Sequence, residues 1–190
     1  ADLKGKKVGV RAYTQTTGVW VRGMLSEQFG VSSGDVTWVT TEAPHAADYK
    51  CPPNVELAQG ADLAGMVRSG ELAAVIMGTK QGAPKGLERL VPDVDGAITE
   101  WFEKHQAVPI NHMVVFREGA DIDAVHKVYD LLAAGLSKAY PAEGRSGRFA
   151  LQCGVKNVWN AVEMAMKYSY EQGLISRVFT MNEIFHESFL

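Results

Sequence analysis

The stretch KKVGVRAYTQTTGVW, residues 6–20, joins a short hydrophobic strand to the start of a helix. Lys6 to Val10 has the length of a buried strand. Apolar residues at helical spacing then predict a helix from about Thr17 to Phe29, which Gly30 ends. The β-branched and aromatic run VTWVT at residues 36–40 predicts a second strand. A strand, a helix and a second strand predict a right-handed βαβ unit, so the fold class is α/β.

The rest of the chain predicts more sheet and then a helical tail. A short strand is expected around Val55 and a third buried strand at Leu72–Met77. Asp95 is expected to cap a helix. From Ala120 the pattern is almost wholly helical, and Thr180-Met-Asn-Glu183 has the form of a capping box that opens the last helix.

Composition excludes several classes of protein. The net charge of −3 and the isoelectric point near 6.0 give no basic field for nucleic acid or an anionic membrane. No apolar run approaches the ~20 residues that a bilayer-spanning helix needs. Cys51 and Cys153 lack metal-type spacing and predict two unlinked thiols in a reducing compartment. The absence of HExxH, CxxC, GxSxG and GxGxxG leaves metal, redox, serine-hydrolase and dinucleotide mechanisms without sequence support, so no metal or cofactor is predicted.

The junction after the first strand predicts an anion site. The start of a helix presents unpaired backbone N–H groups and the positive end of the helix dipole. Hydroxyl groups and a guanidinium beside that end suit a carboxylate or phosphate. The open alternative is that Thr17 only caps the helix and its polar neighbours face water. The residues of this predicted site are Arg11, Thr14, Thr16, Thr17 and Gly18.

Other polar residues are candidates for the same site. Thr79 and Lys80 follow the third strand, so they are expected at the same sheet edge, although an exposed lysine is the alternative. His112 interrupts the apolar run VPINHMVVF beside Asn111. It is either a satisfied core residue or a general acid poised by partial burial. The other histidines are expected to face solvent: His45, His105, His126 and His186.

Three segments together resemble the 4,5-dihydroxyphthalate decarboxylase family. They are VGVRAYTQTTGVWVRGMLSEQFGV with VTWV (8–31 and 36–39), GLERLVPDVDGAITEWFEKHQAVPINHMVVFRE (86–118) and YSYEQGLISRVFTMNEIFHESF (168–189). The resemblance implies a fold like the type 2 periplasmic binding proteins, with two α/β lobes joined by hinge strands around a ligand. The chain departs from the family pattern at Ala73, where relatives carry an aspartate, and in the loop at 78–86.

The resemblance also implies a domain organisation. Residues 1–108 would form the second α/β lobe, and Val108 to Phe116 would be the strand that returns to the first lobe. Residues 109–190 would then be this hinge strand and the helical C-terminal part of the first lobe. Family members begin with a further segment that builds the first lobe's sheet. A missing N-terminal segment, a second chain or a homo-oligomer partner is therefore expected to cover the apolar face of the helical tail.

The implied activity is cofactor-independent decarboxylation of a hydroxylated aromatic dicarboxylate such as 4,5-dihydroxyphthalate. Arg11 and the threonines would anchor the retained carboxylate, and His112 would donate the proton. Two alternatives stay open: a solute-binding protein of an ABC-type transporter that captures a small carboxylate or aromatic ligand, and an enzymatically silent ligand sensor. The enzyme is expected in the cytoplasm, and the binding protein in the periplasm if a signal peptide precedes the chain.

Overall fold

The computed structural model describes residues 2–78, 84–140 and 153–190. Its strands are β1 (Lys7–Val10), β2 (Thr37–Thr40), β3 (Val55–Leu57) and β4 (Ala74–Ile76). Its helices are α1 (Thr16–Phe29), α2 (Leu63–Arg68), α3 (Val94–His105), α4 (Ile122–Ala139), α5 (Val155–Glu171) and α6 (Met181–Ile184). Short 3-10 helices lie at Ser33–Asp35, after α1, and at Glu187–Phe189, after α6.

The four strands form one parallel sheet in the order β3-β2-β1-β4. The central strand β1 pairs on both sides, so that Val8 lies opposite Trp38 of β2 and Ala74 of β4. The chain adds β2 and β3 on one side of β1 and then places β4 on the other side. The strand order therefore reverses between β1 and β4, which is where open α/β sheets bind ligands. The predicted α/β class is confirmed.

The chain separates into two compact units, each built from two segments. The first comprises Ala1–Ala97 and Ala165–Val178, and holds the whole sheet. The second comprises Ile98–Met164 and Phe179–Leu190. The final residues of α5 therefore belong to the sheet-containing unit. The lobe boundary expected at residue 108 stays a prediction.

The core of the first unit packs around β1 and β2. Val8 and Val10 of β1 are buried together with Trp38 of β2, and Leu25 of α1 packs into the same cluster. The indole N–H of Trp38 donates to the carbonyl of Ser33 at 2.9 Å, so the ring is buried without an unpaired donor. The last three residues of both strands are buried, which is the pattern of a parallel sheet covered on both faces.

Most helix boundaries match the sequence patterns. Gly30 adopts a left-handed φ of 65° at the end of α1, and the N–H of Val31 reaches back to the carbonyl of Leu25 at 3.1 Å. The capping box of α6 is also confirmed, because Glu183 accepts from the N–H of Thr180 at 2.8 Å. The expected cap of α3 is wrong by two residues. Asp93 precedes the helix and accepts from the N–H of Gly96 at 2.8 Å, whereas Asp95 lies inside the first turn.

The segment Val108 to Phe116 was expected to be a strand, and that prediction is wrong. The structure gives residues 106–117 no regular secondary structure. A strand requires a hydrogen-bonded neighbour, and the described sheet contains only the four strands given above. Four consecutive apolar side chains of this segment, residues 113–116, are exposed, Val115 by 83%. Only Val108 and Ile110 among its apolar residues are partly buried within the described part of the chain.

The second unit also leaves apolar side chains of its helices exposed. Val125 of α4 is buried, but Leu131 of the same helix is 73% exposed and Leu132 is half exposed. In α5, Ala161 and Val162 supply buried positions, and Trp101 of α3 is fully buried. None of the helices in the described part of the chain combines the length and the apolar character that crossing a bilayer requires.

Candidate functional site

The carboxyl edge of the sheet carries part of the predicted site. Arg11 follows β1 directly, and Thr41 and Glu42 follow β2. Because β1 and β4 are parallel neighbours, Met77 and Gly78 after β4 emerge at the same edge. Thr79 and Lys80 come next in the chain but lie outside the described residues. Their predicted contribution to the site stays a prediction.

Helix α1 begins at this edge without a side-chain cap. Gln15 is the capping position, with an extended backbone (φ −67°, ψ 131°), and no side-chain hydrogen bond caps the helix. Thr16 is the first helical residue, so Thr17 lies inside the first turn and does not cap it. The N–H groups of the first turn have no acceptor within the helix, and the dipole makes this end positive. The helix start therefore has the free donors that an anion requires.

The neighbouring side chains are only weakly engaged. Thr14 Oγ1 accepts from the backbone N–H of His45 at 3.0 Å. Arg11 Nε lies 3.6 Å from Glu42 Oε2, and both side chains are about half exposed. An exposed pair at this distance contributes little and is screened by solvent. The guanidinium of Arg11 can therefore exchange Glu42 for a ligand carboxylate. In the first turn of α1, Thr16 and Thr17 are half-buried and Gly18 is buried.

Beneath this edge lies a buried charge that the sequence analysis missed. Arg22 of α1 is 1% exposed. Its Nη2 donates to the backbone carbonyl of Tyr13 at 2.7 Å, and its Nε donates to Gln172 Oε1 at 2.6 Å. The guanidinium also lies over the Tyr13 ring, 4.2 Å from the centroid, and faces Trp38 at 5.3 Å. One signal was present in the sequence: Arg22 lies three and four positions from the buried Leu25 and Gly18, on a face that should be apolar.

Tyr13 and Gln172 complete this network. The Tyr13 hydroxyl donates to the carbonyl of Gln172 at 3.0 Å and lies 2.8 Å from Ser33 Oγ. Gln172, itself buried, donates from Nε2 to the carbonyl of Val19 at 2.8 Å. Tyr13 immediately precedes Thr14, so these bonds hold the start of the loop that carries the predicted site.

Burial shifts the pKa values of groups around the guanidinium. Loss of hydration lowers the pKa of Arg22 to about 10, which still leaves it protonated at neutral pH. The same cause raises the pKa of Tyr49 to about 12 and also raises the pKa of the Cys51 thiol. No ion pair found among the described residues involves Arg22. The site therefore lies above a positive charge that no described carboxylate neutralises.

His112 and Asn111 lie in the second unit, on the segment without regular structure, and both are exposed. The partial burial expected for His112 is absent from this structure. Their catalytic and binding roles stay predictions. Across residues 2–78, 84–140 and 153–190, no group of three His, Cys, Asp or Glu side chains is arranged to hold a metal ion.

Two curated proteins are similar in sequence to this chain. No protein-family model matches it. A 4,5-dihydroxyphthalate decarboxylase of Comamonas testosteroni is 35% identical over 62% of this chain and 39% of the relative. A protein of the same name from Pseudomonas putida is 40% identical over 54% of this chain and 44% of the relative. The chain thus spans about two fifths of the length of these curated relatives. The resemblance predicted from the sequence is confirmed: over more than half of its length the chain is related to the 4,5-dihydroxyphthalate decarboxylases.

Proposed function

We propose that the chain binds a hydroxylated aromatic dicarboxylate at the first turn of α1 and takes part in its cofactor-independent decarboxylation. The observation that carries this proposal is the similarity to two proteins named 4,5-dihydroxyphthalate decarboxylase. The free N–H groups at the start of α1 support it, because they suit a carboxylate at a strand-order reversal of a parallel sheet. An interlobe cleft of the type 2 periplasmic-binding-protein kind is part of the proposal.

The chemistry needs no cofactor when a ring hydroxyl is para to the departing carboxylate. A proton adds to the ring carbon that bears this carboxylate, while the para hydroxyl loses its proton and becomes a carbonyl. The bond to the carboxylate then breaks, CO2 leaves, and the electron pair restores the aromatic ring as the oxygen regains a proton. The protein has to hold the other carboxylate, exclude water and place an acid near the ring carbon.

Each predicted residue has a role in this scheme. Arg11 and the first turn of α1 hold the retained carboxylate, as charge-assisted hydrogen bonds are the strongest available for that purpose. His112 donates the proton to the ring carbon. The remaining contacts to the substrate come from Thr14, Thr16, Thr17, Gly18, Thr79, Lys80 and Asn111.

A test of this proposal is CO2 release from 4,5-dihydroxyphthalate with formation of 3,4-dihydroxybenzoate. Phthalate is the matched control, because it has both carboxylates but no hydroxyl to supply electrons, and we expect no CO2 from it. Binding of 4,5-dihydroxyphthalate without any CO2 would instead favour the solute-binding alternative, for which a periplasmic location additionally requires a signal peptide. The absence of both binding and CO2 release would overturn the proposal.

A further inference from the structure

Arg22 contacts the loop that carries the predicted site, yet the proposed substrate contacts do not include it. It holds the backbone carbonyl of Tyr13 at 2.7 Å and stacks on the ring of the same residue. The next residue, Thr14, begins the polar part of the loop. Any movement of the guanidinium would therefore move the loop at its first polar position.

The third nitrogen of the guanidinium is directed at the first turn of α1. Nη1 is buried and has no hydrogen-bond partner among the described residues. A Cβ at position 18 would come within 2.8 Å of Nη1, so only glycine leaves room for the guanidinium there. The side chain thus places an unpaired positive group directly against the helix start that the proposal assigns to a carboxylate.

This charge needs a partner. A buried cation without an anionic neighbour is costly, and an anion nearby would offset that cost because the interior screens charge poorly. The only polar partners of Arg22 in the described chain are the carbonyl of Tyr13 and the amide oxygen of Gln172, both of them neutral. Each added negative charge on a ligand at the first turn of α1 therefore gains an attraction to Arg22 without touching it.

We propose that Arg22 is a positioning and specificity-determining residue of this site: it fixes the loop through Tyr13, and its charge makes the site prefer dianionic aromatic ligands over monoanionic and neutral ones. This inference rests on the proposed carboxylate site. Gln172 shares the positioning role, since it anchors both Arg22 and the Tyr13 hydroxyl through its side chain and backbone.

The first test uses the unaltered protein and three substituted benzenes that differ in charge: phthalate (dianion), benzoate (monoanion) and benzamide (neutral). Isothermal calorimetry at pH 8 should give the affinity order phthalate, then benzoate, then benzamide, with increasing salt narrowing the differences. Equal affinity for phthalate and benzamide would overturn the inference.

The second test is a matched pair of substitutions at Gln172. Gln172→Glu keeps the size of the side chain and places a carboxylate against Arg22 Nε, which neutralises the buried charge. Gln172→Met removes both side-chain hydrogen bonds of Gln172, to Arg22 and to Val19, but leaves the charge of Arg22 in place. We expect the ratio of phthalate to benzamide affinity to fall by about tenfold in Gln172→Glu, as for partly buried unit charges several ångströms apart. The ratio should be unchanged in Gln172→Met, where all three probes weaken by a common factor.

The same fall of the ratio in both variants, or no fall in Gln172→Glu, would contradict the role of the charge. The probes carry no ring hydroxyl, so their binding is independent of turnover. Loss of CO2 release with the charge order retained would remove the decarboxylase proposal and leave the inference standing. CO2 release from 4,5-dihydroxyphthalate with no charge preference among the probes would support the decarboxylase proposal and overturn the inference about Arg22.

Discussion

The ring of Tyr168 packs against the Cα of Gly23, in the space that a Cβ on residue 23 would occupy. The Tyr168 hydroxyl donates to Glu27 Oε2 at 2.6 Å, one turn further along α1, and its ring meets Trp20 edge-on with centroids 5.8 Å apart. The end of α5 can thus pack closely against α1 because residue 23 has no side chain. Together with the Arg22–Gln172 bond, this contact makes residues 165–178 part of the unit that contains the predicted site.

Gly23→Ala should therefore destabilise the protein, even though alanine is the better helix former. The added methyl group would have to displace the buried Tyr168 ring, and overpacking of this kind costs about 1–3 kcal/mol. Urea denaturation gives the change in the free energy of unfolding. Gly135→Ala in α4 is the control, because nothing lies within 4 Å of its added Cβ, and it should stabilise by roughly 0.5–1 kcal/mol. A stabilising Gly23→Ala would refute the packing described here.

Arg11→Ala should weaken phthalate binding and leave stability almost unchanged. Its pair with Glu42 is exposed, so its loss should cost under about 1 kcal/mol of stability. A charge-assisted hydrogen bond to the ligand is worth about 1.5–3 kcal/mol, which corresponds to tenfold or more in the dissociation constant. Lys7→Ala is the matched control, since Lys7 also makes an exposed ion pair but lies at the opposite end of β1. Equal loss of affinity in both variants would remove Arg11 from the site.

His112→Gln should lower kcat for 4,5-dihydroxyphthalate by about 10²–10⁴-fold with the dissociation constant nearly unchanged, because glutamine keeps polarity but cannot deliver the proton. Steady-state kinetics and calorimetry separate the two quantities. His126→Gln provides the control for loss of a histidine elsewhere, as His126 pairs with Ser188 on a different part of the same unit. Turnover within a few-fold of the unaltered protein would exclude His112 as the acid.

Stability should depend on Tyr49 at alkaline pH. Its pKa rises from 10.0 in the unfolded chain to about 12 in the fold, so the folded state keeps a proton that the unfolded chain loses. The stability from this group is therefore complete below pH 10 and is lost as the pH rises towards 12. The lowered pKa of Arg22 acts with the opposite sign in the same range, but it is common to both proteins in the comparison.

Tyr49→Phe removes this titration together with a hydrogen bond from the hydroxyl to the carbonyl of Gly173 at 3.1 Å. We expect the variant to be less stable than the unaltered protein at pH 9 and to lose less stability between pH 9 and pH 11. Urea denaturation at the two pH values measures both effects. A parallel loss in the two proteins would show that the Tyr49 hydroxyl titrates alike in the folded and unfolded chains.

Local patterns predicted the sheet-forming part of the chain well. The strands at 7–10 and 37–40, the helix between them and its stop at Gly30 all depend on short-range hydrophobic spacing and on one left-handed glycine. The same kind of signal identified the capping box of Thr180 and Glu183. The start of α1 at Thr16 also agrees with the expected start of this helix, whereas the anion site there stays a prediction.

The failures concern contacts that sequence proximity cannot reveal. Arg22 would ordinarily be taken for a solvated side chain, and its acceptor Gln172 is 150 positions away along the chain. The segment at 108–116 failed for another reason, since apolar, β-branched composition favours a strand only where a neighbouring strand exists to pair with it. His112, within that segment, lost its expected burial for the same reason.

The pairing of Arg22 with Gln172 also constrains how the protein can be made. Since the ribosome synthesises α1 long before residues 165–178, Arg22 is made together with its acceptor at Tyr13 but well before its acceptor at Gln172. We therefore expect the sheet-containing unit to become fully closed only after residues 165–178 have been synthesised. A fragment that stops at residue 97 would carry the four strands of the described sheet and lack Tyr168 and Gln172, whose side chains bind and pack against α1.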